Sequence, residues 1–239
     1  MKPVYKEAAN LARQNREFVL ATVVNTKGST PQKPGATLLV RSDGSTVGTL
    51  GGGCVEGDIW FAAKEILRLN GGAEFKDYYL NEDIAARDGL VCGGTMYFYL
   101  EPLRDQKDFI TVGNEILEAY DGGQPVSLAT LVNSKGGGPT VGSKLLLRSD
   151  GSVSGSLGRS DLDTQAIEVA EKVADVGSNE SFSLSDGTEV FVEGFTTPPT
   201  LVMVGGGHVG KATADLALSL IHISEPTRRY AIADAGFCW

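Results

Sequence analysis

The chain has 239 residues, 41% of them hydrophobic and 21% charged, which are ordinary values for a globular protein with a substantial core. Its net charge of −9 argues against nucleic acid or an anionic membrane surface as the main partner. There is no long apolar run to span a membrane, the N-terminus carries charge where a signal peptide is apolar, and Cys54, Cys92 and Cys238 are too few for a disulfide framework. A cytoplasmic protein is expected.

In chain order, a helix is expected over residues 4–17, then an apolar β-rich run at 18–24 and a Gly/Pro loop. A hairpin follows, its turn marked by Asp43-Gly44. Val55, Ile59, Ala62, Ala63, Ile66 and Leu67 then form a helical stripe that stops at Gly71-Gly72. The same series returns as a helix over 107–121, an apolar run at 126–132, a hairpin turning at Asp150-Gly151, and a stripe of Leu162, Ala166, Val169, Ala170 and Val173. The residues themselves agree. LATVVNTKGSTPQKPGATLLVRSDGSTVGTLG (20–51) matches LATLVNSKGGGPTVGSKLLLRSDGSVSGSLG (128–158), one residue shorter after Pro139, and GGTMYFYLEPL (93–103) parallels DGTEVFVEGF (186–195).

The expected fold class is α/β: a duplicated strand–hairpin–helix unit followed by an incomplete Rossmann-type βα stump. The domains fall at 1–104 (copy one), 105–195 (degenerate copy two), 196–217 (linker and start of the Rossmann domain) and 218–239 (tail).

Because duplicated domains share what folding needs, their differences point to chemistry. LGGGCVE (50–56) stands against LGRSDLD (157–163), so Cys54 aligns with Asp161 and Glu56 with Asp163. Asp161 reads as an ordinary helix N-cap, whereas cysteine caps poorly. A thiol at a helix N-terminus sits at the positive end of the dipole, which favours the thiolate. Gly51, Gly52 and Gly53 are expected to leave backbone N–H groups open to an anion or a flat polar ligand. Cys92 is followed by Gly93 and Gly94, and copy two has no thiol there either. The plain alternative is that these cysteines are small buried hydrophobes and the glycines only turn the chain. With His208 and His222 the only histidines, a zinc site is not expected.

After Pro198-Pro199, TLVMVGGGHVGKATADLA places Gly205, Gly207 and Gly210 between an apolar strand (200–204) and a helix, as a Rossmann fold opens. The acidic residue on a second strand that dinucleotide binding requires does not follow, so NAD(P) is not expected to bind this chain. LSLIHISEPTR (218–228) coincides with the in-frame translation of a common transposase sequencing adapter, and RYAIADAGFCW (229–239) fits the index and primer that follow it, apart from four differences. Residues 218–239 are therefore expected to be artefactual, and His222, Pro226, Cys238 and Trp239 carry no functional argument.

The stretches 21–58, 89–103 and 204–212 together resemble the XdhC/CoxI family, accessory factors of xanthine dehydrogenase and related molybdenum hydroxylases. The resemblance implies a cytoplasmic chaperone, not itself an enzyme. Such a chaperone binds the molybdenum cofactor (molybdopterin type), helps to sulfurate it and delivers it to the hydroxylase apoenzyme. It implies cofactor binding by Gly51, Gly52, Gly53, Cys54, Glu56, Cys92, Gly93 and Gly94, with Cys54 and Cys92 as molybdenum contacts. A cysteine desulfurase and a second copy of the chain are further partners it suggests. A nucleotide-dependent oxidoreductase or a thiol-based sulfur-transfer enzyme is the competing reading.

Overall fold

The computed structural model describes residues 1–80, 93–104, 107–134, 138–198, 204–205 and 207–220. Two units are distinguished, Met1–Thr197 and Pro198–Trp239. The first holds two five-stranded antiparallel sheets built on one plan.

Helix α1 (Lys2–Arg13) opens the chain and ends earlier than the apolar pattern implies. Asn15 takes a left-handed conformation (φ 53°), and the Arg16 N–H turns back to the Leu11 carbonyl at 3.0 Å, which stops the helix. Sheet one is formed by β1 (Phe18–Lys27), β2 (Thr37–Arg41), β3 (Thr46–Gly48), β4 (Glu74–Tyr79) and β5 (Thr95–Leu103), in the order β3-β2-β1-β5-β4. Helix α2 (Gly53–Arg68) lies between β3 and β4 in the chain. Helix α3 (Lys107–Tyr120) leads into sheet two, formed by β6 (Val126–Asn133), β7 (Lys144–Arg148), β8 (Val153–Gly155), β9 (Asn179–Ser183) and β10 (Glu189–Phe195), in the matching order β8-β7-β6-β10-β9. Helix α4 (Ser160–Ala174) takes the place of α2.

Strand alternation sorts the side chains into layers. Val19, Ala21 and Val23 of β1 pack with Met96, Phe98 and Leu100 of β5 under Val55, Ile59 and Ile66 of α2. Ala129, Leu131, Val190 and Val192 do the same under α4. The opposite faces meet each other. Phe18, Leu20, Leu128, Leu146 and Phe195 share one core with α1 and α3, and Val24, Tyr99, Val132 and Phe191 form a separate, smaller cluster. The two sheets thus belong to one unit, Met1–Thr197, rather than to two. Ion pairs repeat as well: Arg41 Nε donates to Glu7 at 3.0 Å and Arg148 Nη2 to Glu115 at 2.7 Å, each tying β2 or β7 to the preceding helix.

Strands β4 and β9 are additions to the pattern read from sequence. EFKDYY and NESFS lie at the sheet edges, largely exposed, so no apolar run marks them.

In the second unit, helix α5 (His208–Leu220) follows the glycine turn. Gly205 has φ 102°, and a Cβ on Gly210 would stand 2.2 Å from the Gly205 carbonyl oxygen, so glycine is required for that close approach. Residues 199–203, where the strand is expected, and 221–239 lie outside the described residues. No helix among those described is long and apolar enough to cross a membrane.

Candidate cofactor site

Copy one reaches α2 through three residues in the left-handed region, Gly51 (φ 104°), Gly52 (φ 75°) and Gly53 (φ 65°). They do different jobs. A Cβ on Gly51 would stand 2.8 Å from Pro31 Cβ, and on its counterpart Gly158 it would stand 3.1 Å from Pro139 Cβ, so this glycine serves packing in both copies. Gly52, by contrast, has nothing within 4 Å of a Cβ position, and its counterpart Arg159 is extended (φ −146°, ψ 134°). The surface at Gly52 is open in copy one alone.

Cys54 follows in the first turn of α2, with an exposed thiol. Glu56, one half-turn on, faces back into the loop. Its Oε2 accepts from Thr49 Oγ1 at 2.8 Å, Leu50 N–H at 2.9 Å and Gly52 N–H at 3.2 Å. Burial pushes this carboxyl up, but the bonds from Leu50, Thr49 and Gly52 outweigh that and hold it below the usual carboxylate range. Asp163 holds the second loop in the same way, accepting from Ser156 Oγ at 2.7 Å and Leu157 N–H at 2.6 Å. Glu56 is therefore a positioning residue that both copies use.

Two expectations need correction here. The Gly51 and Gly52 N–H groups are not open, because Thr49 Oγ1 (3.1 Å) and Glu56 accept from them; only the Gly53 N–H of the three takes no intramolecular acceptor among the described residues. Asp161 is not the N-cap either. That place belongs to Arg159, whose Nε and Nη2 bind the two Asp161 oxygens at 3.0 and 2.5 Å, while backbone N–H groups of the first turn, Leu162 among them, also hold the carboxylate.

Arg159 also shows how the loops are arranged in copy two. Its Nη1 donates to Asp186 Oδ2 at 2.6 Å, and this ion pair holds the Asp186 carboxyl down at about 2. Asp186 lies in the short turn 185–187, closed by Leu184 N–H to the Thr188 carbonyl at 2.9 Å. In copy one the corresponding closure is Leu80 N–H to the Gly94 carbonyl at 2.9 Å, and it brackets the much longer segment 81–93 that carries Cys92. Cys92 itself lies outside the described residues. Gly94 is buried at the root of that segment, where a Cβ would stand 2.5 Å from the carbonyl oxygens of both Lys27 and Ser29; Gly93 is exposed with nothing near it.

No cluster of three or more metal-ligating His, Cys, Asp or Glu side chains occurs among the described residues. Sequence reasoning missed the inward-facing set of Tyr5, Tyr99, Glu101, Lys144 and Glu193 between the sheets; the signal available was a glutamate interrupting the apolar alternation at the same point of β5 and β10.

Known proteins resemble this chain in parts. It is 53% identical over 53 residues to the uncharacterised protein YqeB of Escherichia coli, covering 22% of this chain and 10% of that protein. It is 31% identical over 98 residues to a Bacillus subtilis protein described as a probable subunit of xanthine dehydrogenase, covering 41% and 30%. With the molybdenum cofactor insertion chaperone PaoD of Escherichia coli it shares 29% over 116 residues, covering 48% and 36%. The chain thus spans 10–36% of the length of these curated relatives. In fold it resembles the crystal structure of a xanthine dehydrogenase from Bacillus halodurans, with a TM-score of 0.57 at 20% identity over 90% of this chain and 59% of that one. The model of the XdhC and CoxI family matches residues 11–78 and 119–184, more than half of the sequence, and the chain belongs to that family.

Proposed function

We propose that this chain is an accessory factor that holds the molybdenum cofactor at Cys54 and Cys92, assists its sulfuration and passes it to the apoenzyme of a xanthine dehydrogenase-type molybdenum hydroxylase. The observation that carries the reading is the exposed Cys54 thiol beside the open Gly52 surface, in the one copy that lacks the Arg159 clamp. Where copy two ties its helix start to its 185–187 turn with an arginine, copy one has no side chain at Gly52 and a longer segment bearing a second thiol. The Leu80–Gly94 closure at the root of that segment matches the Leu184–Thr188 closure at the root of the 185–187 turn. Family membership points the same way, as do two relatives, one named for xanthine dehydrogenase and one for molybdenum cofactor insertion.

The residues suit this cargo. Molybdenum takes soft sulfur donors, and two thiolates supply them. The Gly53 N–H and the helix N-terminus favour an anionic group, and the bare glycine surface admits a flat one. The cofactor brings the metal whose ligand exchange the hydroxylase later uses; a cysteine desulfurase would supply the sulfur. Glu56 keeps the glycine loop in shape. A catalytic thiol works beside a general base, yet no histidine lies in copy one and the Glu56 carboxylate is committed to its own loop. That favours a carrier over a sulfur-transfer enzyme or an oxidoreductase.

The test is molybdenum retained by protein purified from a cofactor-producing host. Cys54→Ser and Cys92→Ser should each lower it and the double variant should abolish it, at unchanged melting temperature. Asp161→Cys should add none. Wild-type retention by the double variant contradicts the reading.

A further inference from the structure

The start of the loop from β1 to β2, Gly28 to Gln32, lies against the roots of both thiol-bearing segments. On one side is the glycine loop that leads to Cys54. A Cβ on Gly51 would stand 2.8 Å from Pro31 Cβ and 3.3 Å from Gln32 Cγ. On the other side is Gly94, which follows Cys92 and Gly93 in the chain. Strand pairing brings it there, since Lys27 lies opposite Thr95. A Cβ on Gly94 would stand 2.5 Å from the Lys27 and Ser29 carbonyl oxygens and 2.9 Å from Thr30 Cγ2. Gly28, at φ 72°, completes the contact: a Cβ there would stand 3.3 Å from Gly94 Cα.

Thr30 joins the two contacts. Its methyl group faces Gly94, and its hydroxyl donates to the Gln32 carbonyl at 2.9 Å. One side chain thus couples the contact on Gly94 to the contact on Gly51. Glu56 shapes the loop from within, but its bonds to Thr49, Leu50 and Gly52 all end inside that loop. Where the loop stands relative to Gly94 is set by contacts from outside, and Pro31 and Gln32 supply them.

Copy two keeps the proline and lacks the joint. A Cβ on Gly158 would stand 3.1 Å from Pro139 Cβ, the same packing as Gly51 on Pro31, whereas Thr30 is replaced by Gly138, with neither methyl nor hydroxyl. The proline serves the shared fold; the threonine occurs only in the copy that carries the thiols. We infer that Thr30 is a positioning residue of the thiol site, setting the spacing between the Cys54 loop and the Gly93-Gly94 root of the segment that bears the second thiol. The inference rests on the proposed function. A ligand held from two loops is sensitive to their spacing, and removing a residue that orients metal ligands typically weakens metal affinity by about 10–100-fold. A threonine that only packed its loop would change the melting temperature and leave metal binding alone.

Molybdenum loss during dialysis, measured on the full chain from a cofactor-producing host, separates these roles. Thr30→Ala should weaken retention by about tenfold. Its melting temperature should fall by no more than about 4 °C, the effect of one partly exposed hydrogen bond. Thr30→Ser keeps the bond to Gln32 and should recover most of the retention. Spacing is read separately, with spin labels on Cys54 and on Gly93→Cys, an exposed position with nothing near it, in a Cys92→Ser, Cys238→Ser background. Thr30→Ala should clearly broaden the distance distribution between the labels, and Thr30→Ser should restore it. An unchanged distribution in Thr30→Ala, or unchanged retention while Cys54→Ser loses its metal, would overturn the inference. Full retention by Cys54→Ser as well would refute the proposed function instead, and the label distances would still decide whether Thr30 sets the spacing.

Discussion

Replacing Glu56 with alanine separates holding a loop from holding a ligand. The Glu56 carboxylate accepts from Thr49, Leu50 and Gly52, so its loss leaves three donors to water in a half-buried loop. Hydrogen bonds to such a partly exposed carboxylate, taken together, contribute about 1–3 kcal/mol. In a unit of this size each kcal/mol moves the melting temperature by about 2–4 °C, so Glu56→Ala should melt about 2–12 °C lower. Glu56→Gln keeps an oxygen acceptor and should lose less. Asp163→Ala removes the same clamp from copy two and should cost similar stability, but only Glu56→Ala should also lower molybdenum retention. The pH dependence has a definite sign. Because the folded pKa lies below the ordinary 4.5, the stabilisation is present above that value and is lost as pH falls through the folded pKa. The gap between wild type and Glu56→Gln should therefore close in acid. Scanning calorimetry from pH 3 to 8 with metal analysis measures both effects. A Glu56→Ala melt within about 1 °C of wild type at pH 7 would refute the clamp, and equal molybdenum loss in Asp163→Ala would refute the separation of the copies.

Other outcomes follow from the packing. Phe195 is 2% exposed and meets Tyr5 and Tyr120 edge-on at 5.2 and 5.9 Å, so Phe195→Ala should cost about 3–5 kcal/mol in one cooperative transition seen by circular dichroism. Separate melts for the two copies would contradict the shared core. Gly51→Ala, strained and 2.8 Å from Pro31, should destabilise clearly more than Gly52→Ala, which meets open space. A reversed order in thermal melts would show that the loop is built differently. Residues 1–197 alone should give a cooperative melt, since the sheets, α1 and α3 close their core within that span. Failure of that fragment to melt cooperatively, where the whole chain does, would move the boundary.

Much of the fold was legible because it is local and repeated. Asp43-Gly44 and Asp150-Gly151 marked the hairpins: Gly44 and Gly151 have φ 90° and 82°, and Asp43 and Asp150 accept from Ser45 and Ser152. The α2 and α4 stripes were legible because each buries one face on a sheet. Edge strands β4 and β9 were not, since exposed polar residues carry no period-two signal. The candidate site rests on an asymmetry that the sequence displays, Cys54 against Asp161. The use of Glu56 was not legible, because a carboxylate that caps its own loop and one that binds a ligand look alike in sequence. The Arg159 clamp and the Glu193 cluster arise from contacts distant along the chain, which no local pattern encodes.

The most direct test of the account is whether Cys54 and Cys92 meet. In a Cys238→Ser background, a short dithiol-specific crosslinker should join the two within one chain, as mapped by peptide mass spectrometry, and molybdenum cofactor should protect both thiols from it. The account predicts a Cys54–Cys92 crosslink that the bound cofactor suppresses. Modification of each thiol singly, with no crosslink and no protection, would contradict a shared site.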